Sequence, residues 1–310
     1  MILTVTLNPA VDKTYTAGEL ITGHVNRMRS AMSLAGGKGV NVTKVLRQYE
    51  VPVCATGFLG GYAGDFIEDY LKGRQVDCRF IRVDGETRSN MNILADNGYV
   101  TEILEPGPEI GEEKLPQVLS QYEALLSDCE IVVLSGSAAR GLPDDIYVTL
   151  IEKARMKGIK TMLDTSGESL RNALFAKPYL IKPNLKELEY IAGHRLVNRE
   201  AVVEAALEVH KSGIAHVIVS MGKKGLLSVS SGGYVYFAKA GTVRAVNTVG
   251  CGDCVVASFA MSVLKGDSKE EALRRAAAIS AANASTLKSA DVPLDVAQEL
   301  YEGITVEKIR

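Results

Sequence analysis

The chain has 310 residues, 46% of them hydrophobic, enough to bury a substantial core in one large domain or two modest ones. Its 35 basic and 37 acidic residues leave a formal charge of -2, so no global field draws in nucleic acid or anionic lipid, and any bound anion must meet a local site. No apolar run reaches membrane-spanning length, the first residues lack the basic flank of a secretory signal, and an odd count of five cysteines suits reduced thiols, so a cytoplasmic protein is expected.

A strand is expected over Ile2 to Leu7. Asp12 follows it in the run Asn8-Pro9-Ala10-Val11-Asp12, where a carboxylate can accept from two adjacent hydroxyls of a sugar; alone it reads as a turn aspartate. Gly36-Gly37-Lys38-Gly39-Val40-Asn41 is a glycine cluster that opens a helix over Val40 to Tyr49. Lys38 offers a positive charge there and Asn41 both donates and accepts, which suits a polyol. The Walker A pattern occurs nowhere in the chain. Val53 to Phe58 then reads as strand and Asp65 to Lys72 as helix.

Two segments break this alternation, Tyr15 to Met32 and Arg79 to Glu105. In the second, Asn90 to Leu94 and Tyr99 to Leu104 flank Asp96-Asn97-Gly98, a hairpin signal. Together they are expected to form a small β lid, from about residues 12–32 and 85–105, on a single domain spanning 1–310. Arg88, in Thr87-Arg88-Ser89-Asn90, would close bidentately over a phosphate already carried by the substrate; the plainer reading is an exposed edge-strand arginine.

Helices over Glu113 to Leu126 and Asp144 to Lys157 precede strands Ile131 to Ser135 and Thr161 to Asp164, and strands Leu180 to Lys182 and Val217 to Ser220 flank a helix over Ala201 to Ser212. This is the rhythm of βαβ units around a mainly parallel sheet, an α/β fold whose ligands sit beyond the carboxyl ends of the strands. Asn8, Ser135 to Ser137, Asp164, Lys182 to Asn184 and Ser220 to Gly222 fall there. Asn184 and Glu187 have capping-box spacing, which needs no chemistry; the functional alternative is that they orient water on a magnesium ion. Ser220-Met221-Gly222-Lys223-Lys224-Gly225 is a glycine turn that can lie along a nucleotide or simply close a hairpin.

The most telling run is Val249-Gly250-Cys251-Gly252-Asp253, leading into the apolar helix-forming stretch Cys254 to Leu264. Two glycines allow a tight turn whose N–H groups converge, the helix adds the positive end of its dipole, and Asp253 sets a carboxylate beside a cradle suited to a transferring phosphoryl group. Cys251 and Cys254 also make a C-x-x-C pair, but it lies late in the chain, and no second pair completes a zinc site. The helix terminus is expected to acidify Cys251 and expose it to oxidation.

TVTLNPAVDK, AGGKGVNVTKVL, ETRSN, LIKPNLKELE, SMGKKG and NTVGCGD stand in the order and approximate spacing of the PfkB branch of ribokinase-like carbohydrate kinases, which the chain resembles along essentially its whole length. The resemblance implies a three-layer fold with a mainly parallel sheet of eight or nine strands flanked by helices, a β lid that pairs with a second subunit as a homodimer, and magnesium-ATP as phosphoryl donor. By position, Asp253 resembles the catalytic base, and the N–H groups of Gly250, Cys251, Gly252 and Asp253 the anion hole. Lys182, Asn184, Ser220, Gly222 and Gly225 resemble the nucleotide contacts, with Asn283 near the adenine, and Asn184 and Glu187 the organisers of magnesium through water. Asp12, Gly37, Lys38 and Asn41 correspond to sugar contacts, and Arg88 and Asn90 to lid contacts. Within the family, LNPAVDK and the Thr-Arg segment look like the subgroup acting on phosphorylated ketohexoses, with 1-phosphofructokinase activity expected first and tagatose-6-phosphate kinase activity as the alternative. A nicotinamide oxidoreductase is disfavoured because no G-x-G-x-x-G follows the first strand. A non-catalytic sugar-phosphate sensor is disfavoured by Asp253 in its glycine turn.

Overall fold

The opening apolar run forms β1 (Ile2–Thr6), whose side chains alternate between two cores. Ile2 joins one apolar cluster, while Leu3 and Val5 join the other. This two-sided burial repeats along the chain of the computed structural model, which describes residues 1–310. After β1 come β2 (Ala10–Ala17), β3 (Ser30–Gly36), α1 (Lys38–Gln48), β4 (Val53–Leu59), α2 (Gly61–Lys72), β5 (Asp77–Arg82), β6 (Arg88–Ala95) and β7 (Val100–Leu104). The middle holds α3 (Lys114–Leu125), β8 (Ile131–Ser135), α4 (Ile146–Met156), β9 (Lys160–Asp164), α5 (Gly167–Ala173), β10 (Leu180–Ile181), α6 (Leu185–Ala192), α7 (Arg199–Lys211) and β11 (His216–Ser220). The rest is β12 (Leu226–Ser230), β13 (Tyr234–Ala238), α8 (Cys251–Lys265), α9 (Lys269–Ala284), α10 (Leu294–Gly303) and β14 (Val306–Lys308).

Ten strands make the main sheet, in the order β14-β13-β12-β11-β10-β9-β8-β1-β4-β5. From β5 to β11 all neighbours are parallel; β12, β13 and β14 finish the sheet antiparallel. The count exceeds the expected eight or nine. At one end β14 extends the sheet by pairing with β13, and at the other β5 pairs with β4. Arg79 to Arg82, read from sequence as part of the irregular segment, thus belong to the main sheet.

One core packs α1, α8 and α9 against one face of the sheet, and the other packs α3, α4 and α7 against the opposite face. The α/β expectation holds: a large, mainly parallel sheet lies between helical layers. No helix is long and apolar enough to cross a membrane.

The remaining strands pair in a second sheet, ordered β3-β2-β6-β7. Its hairpin turns at Asp96-Asn97-Gly98, with Gly98 at φ 84 in the left-handed region that such a loop requires. The parallel pairing of β2 with β6 sets Asp12 opposite Asn90 and Ala10 opposite Arg88. At the other edge, β3 runs directly into the glycine turn that begins α1, so this sheet delivers its residues to the same place as that helix N-terminus.

Candidate active site

Two helix N-termini, α1 and α8, bring their first turns together. Gly250 caps α8 at φ 85, a left-handed conformation that any side chain would strain, and a Cβ there would sit 2.9 Å from the Ala290 amide nitrogen. The turn leaves the N–H groups of Gly250, Gly252 and Asp253 without an acceptor in the protein, whereas the Cys251 N–H is engaged by Thr248 O at 3.3 Å. Three of the four expected donors are therefore free for an anion. Gly252 also has a cation at its back: a Cβ there would lie 3.2 Å from the Lys182 Nζ.

Asp253 is in the first turn of α8 and only 5% exposed. Asn41, in the first turn of α1, donates from Nδ2 to Asp253 Oδ2 at 2.8 Å. Burial raises the Asp253 carboxyl above its ordinary value and nearby Asp164 adds to this, against the lowering pull of Lys38, Asn41 and Lys182. Lys38 Nζ donates to Asp164 Oδ2 at 3.0 Å, and Lys182 Nζ lies 3.4 Å from the other oxygen. Burial works to raise Asp164, but the two lysines outweigh it and hold this carboxylate below the usual range. Burial likewise works to lower Lys38, yet Asp164, Asp253 and Glu187 keep it above the ordinary lysine range. Its side chain remains 40% exposed, so the charge is available to a ligand.

On the side facing the second sheet, Asn90 Nδ2 donates to Asp12 Oδ1 at 3.0 Å, and burial raises the Asp12 carboxyl. Asn8 Oδ1 and Asn90 Oδ1 are buried without a partner. An unpaired amide oxygen on Asn90, whose nitrogen is bound to Asp12, suits a ligand that brings hydroxyls. Gly37 caps α1 at φ 88, and a Cβ there would meet the Pro9 Cα at 2.9 Å. Arg88 donates to Glu105 O and to Asn8 O, each at 3.1 Å, while its Nε is buried and unpaired. Its fork is thus already braced on backbone carbonyls.

A cleft of about 570 Å³ opens from Gly252 on the other side, a volume in the usual range for a small-molecule site. Of the residues expected along the nucleotide, Lys182 lies behind Gly252 outside this lining, and Asn184, Ser220, Gly222 and Gly225 belong to it. Asn283 does not. It is fully buried behind the turn, where Nδ2 donates to Val249 O at 2.9 Å and Oδ1 accepts from the Ala290 N–H at 2.7 Å. The expected adenine contact is thereby corrected: Asn283 braces the turn before α8, and the α9 residues that line the cleft include Ala277, Ala281 and Ala284. These alanines fall at helical spacing, a signal the sequence carried but that core packing explains equally well. The facing loop, including Gly241 and Val243, carried no motif at all.

Cys251 also departs from expectation. Its thiol donates to Ser280 O at 3.3 Å, and burial pushes it above the ordinary value, outweighing any effect of the helix terminus. Cys254 is fully buried and both thiols are free.

Asn184 and Glu187 do form the capping box, with Asn184 N–H to Glu187 Oε2 at 2.7 Å and Glu187 N–H to Asn184 Oδ1 at 2.9 Å. That leaves the second carboxylate oxygen of Glu187 and the Asn184 amide nitrogen. No group of three or more acidic, histidine or cysteine residues could enclose a metal. A sparse donor set of this kind fits an ion that keeps most of its water, as magnesium does.

Residues 4–295 match the pfkB family of carbohydrate kinases. A tagatose-6-phosphate kinase of Staphylococcus epidermidis is 35% identical over 312 residues, covering all of both chains. Among solved structures, a possible 1-phosphofructokinase from Thermotoga maritima superposes with a TM-score of 0.90 at 27% identity over the full length of both chains. Phosphofructokinase-2 of Escherichia coli in complex with fructose-6-phosphate gives 0.88 at 27% identity, covering 97% of this chain and 98% of that one.

Proposed function

The chain belongs to the pfkB family of carbohydrate kinases, and from that premise we propose that it transfers the γ-phosphoryl group of ATP to a primary hydroxyl of a phosphorylated ketohexose, giving a bisphosphate and ADP. The observation that carries this reading is the placement of Asp253. Its carboxylate, held by Asn41, follows directly on Gly252 of the cleft lining and lies beside free backbone N–H groups.

Fructose 1-phosphate is the first candidate acceptor. Tagatose 6-phosphate is the second, favoured by the 35% identity to a tagatose-6-phosphate kinase along the whole chain. Both present a primary hydroxyl at one end and a phosphate at the other, so one geometry serves either. Asp12, Asn90, Asn41 and the Gly37 backbone bind the sugar hydroxyls. Lys38 contacts the sugar, and Arg88 supplies positive charge for its phosphate.

An aspartate is too weak a base to strip an alcohol beforehand, so Asp253 orients the hydroxyl and receives its proton late, as the bond to the phosphoryl group forms. The N–H groups of Gly250, Gly252 and Asp253, with Lys182 behind them, stabilise the charge on the transferring group. Ser220, Gly222 and Gly225 lie along the nucleotide, whose base rests on the alanine face of α9. Asn184 and Glu187 would hold magnesium through water, which when bound neutralises phosphate charge. The second sheet acts as a lid over the sugar, and its exposed residues, among them Tyr99 (73%) and Leu104 (60%), support a homodimer formed through it. A cytoplasmic setting suits the five free cysteines.

Measuring ADP release with fructose 1-phosphate, tagatose 6-phosphate, fructose 6-phosphate and free fructose tests the proposal. Turnover should be confined to phosphorylated ketohexoses; equal turnover with free fructose would contradict it.

A further inference from the structure

Lys44 lies three residues beyond Asn41 on α1 and takes no part in the chemistry above. It is 2% exposed, yet it sits where an apolar residue would be the ordinary occupant of a helix packed on a sheet. Its ammonium meets three oxygens: Ser289 O at 2.8 Å, Ala35 O at 2.9 Å and Asn41 Oδ1 at 3.0 Å. An ammonium has three donors and no acceptor, so this set uses all of them.

The consequence falls on Asn41. A primary amide can present either end to a neighbour, and its orientation is decided by hydrogen-bond partners. Because Lys44 can only donate, Asn41 must turn its oxygen toward Nζ, and its nitrogen then faces Asp253, where the 2.8 Å bond is found. The reverse orientation would set the amide oxygen against the carboxylate. Lys44 also joins the end of β3 and the segment before α10 to α1, so the ligand-binding turn and the anion cradle share one anchor.

We propose that Lys44 is a positioning residue for phosphoryl transfer: its ammonium locks the Asn41 amide so that Asn41 aims the Asp253 carboxylate at the acceptor hydroxyl. This rests on the reading of Asp253 as the group that receives the proton.

Protonation of Lys44 is part of the device. A neutral amine has two donors for three oxygens and turns a lone pair on the third. Burial pushes Lys44 down to about 8, and Arg74 adds to that, against the raising influence of Asp12 on β2, Asp291 before α10 and Asp253 on α8; the Tyr70 ring of α2 lies 5.9 Å away. Turnover should therefore decline as the pH rises through about 8.

The test compares wild type, Lys44→Met, Lys44→Arg and Asp253→Asn by ADP release across the pH range, with fructose 1-phosphate or tagatose 6-phosphate, whichever turns over. Lys44→Met should lose about tenfold or more in kcat, with the KM for ATP changed by less than about twofold, and should show no decline near pH 8. Lys44→Arg, which keeps a permanent cation, should retain most of kcat and carry its activity to higher pH. A Lys44→Met kcat within about twofold of wild type overturns the proposal, as does an alkaline decline unchanged in Lys44→Arg. If neither variant folds, the wild type decides, since a flat profile between pH 7 and about 9 overturns it as well. An inactive Asp253→Asn beside a normal Lys44→Met removes only the role of Lys44, whereas an active Asp253→Asn removes the underlying reading.

Discussion

At the scale of single residues, burial sets the charge of Asp253 against stability. Its carboxyl is raised by burial, so the fold binds its proton more tightly than the unfolded chain does. The stability it contributes is present at low pH and lost as the pH rises through the raised value. At neutral pH the ionised group is therefore a cost. Asp253→Asn should raise Tm by about 2 °C, near the shift that 1 kcal/mol produces in a chain of this size, while kcat falls about a thousandfold. A thermal melt beside a kinetic assay checks both. In the proposed mechanism the ionised form accepts the proton, so kcat/KM in the wild type should fall on acidification at a pH above the ordinary 3.8. A pH profile with no acid limb above that value would contradict the raised carboxyl.

At the scale of elements, the N-terminal turn of α8 is the part most exposed to small changes. Gly250→Ala forces a left-handed backbone on a residue with a Cβ and drives that Cβ toward the Ala290 nitrogen, 2.9 Å away. A loss of about 1–2 kcal/mol in stability is expected from the conformation alone, measured by denaturant titration, with kcat falling as the cradle shifts. Across the cleft, Ala281→Leu should fill space on the α9 wall and raise the KM for ATP about tenfold while leaving the KM for the sugar phosphate near its wild-type value. Equal changes in both would mean that the base does not rest there.

The elements also explain how far the sequence could be read. The parallel strands and the helices between them announced themselves because two-sided burial gives short apolar runs and one-sided burial gives helical periodicity. Gly250 and Asp253 were legible as a glycine turn opening a helix, and Gly37 and Asn41 as a second such turn whose amide suits a polyol; the fold joins the two at the Asn41–Asp253 hydrogen bond. Lys44 was not, since a lysine within an amphipathic helix ordinarily faces solvent, and only tertiary packing turns this one inward. Asn283 was set near the adenine by the family resemblance alone, and only the fold shows its amide taken up by Val249 O and the Ala290 N–H. The strand β5 was hidden because its side chains are largely exposed and its apolar alternation is weak.

At the scale of the whole molecule, the sheet's carboxyl edge, two helix N-termini and the second sheet meet around one point, and each brings a different function. The main sheet supplies Asp164 and Lys182, α1 and α8 supply the polar turns, and β2 and β6 supply Asp12 and Asn90. The outer strand β7 leaves Val100, Ile103 and Leu104 exposed, an apolar edge that a second copy would cover. Ile103→Lys together with Leu104→Lys should shift the protein to monomer in sedimentation equilibrium and weaken capture of the sugar phosphate. A wild type that is already monomeric would rule out that assembly.

The most direct test of Asp253 as the proton acceptor is a paired measurement on Asp253→Asn: turnover by ADP release, and ATP binding by calorimetry. Turnover should collapse while the affinity for ATP stays within about threefold of wild type, because the neighbouring N–H groups and cleft are untouched. Near-normal turnover in that variant would contradict the central claim.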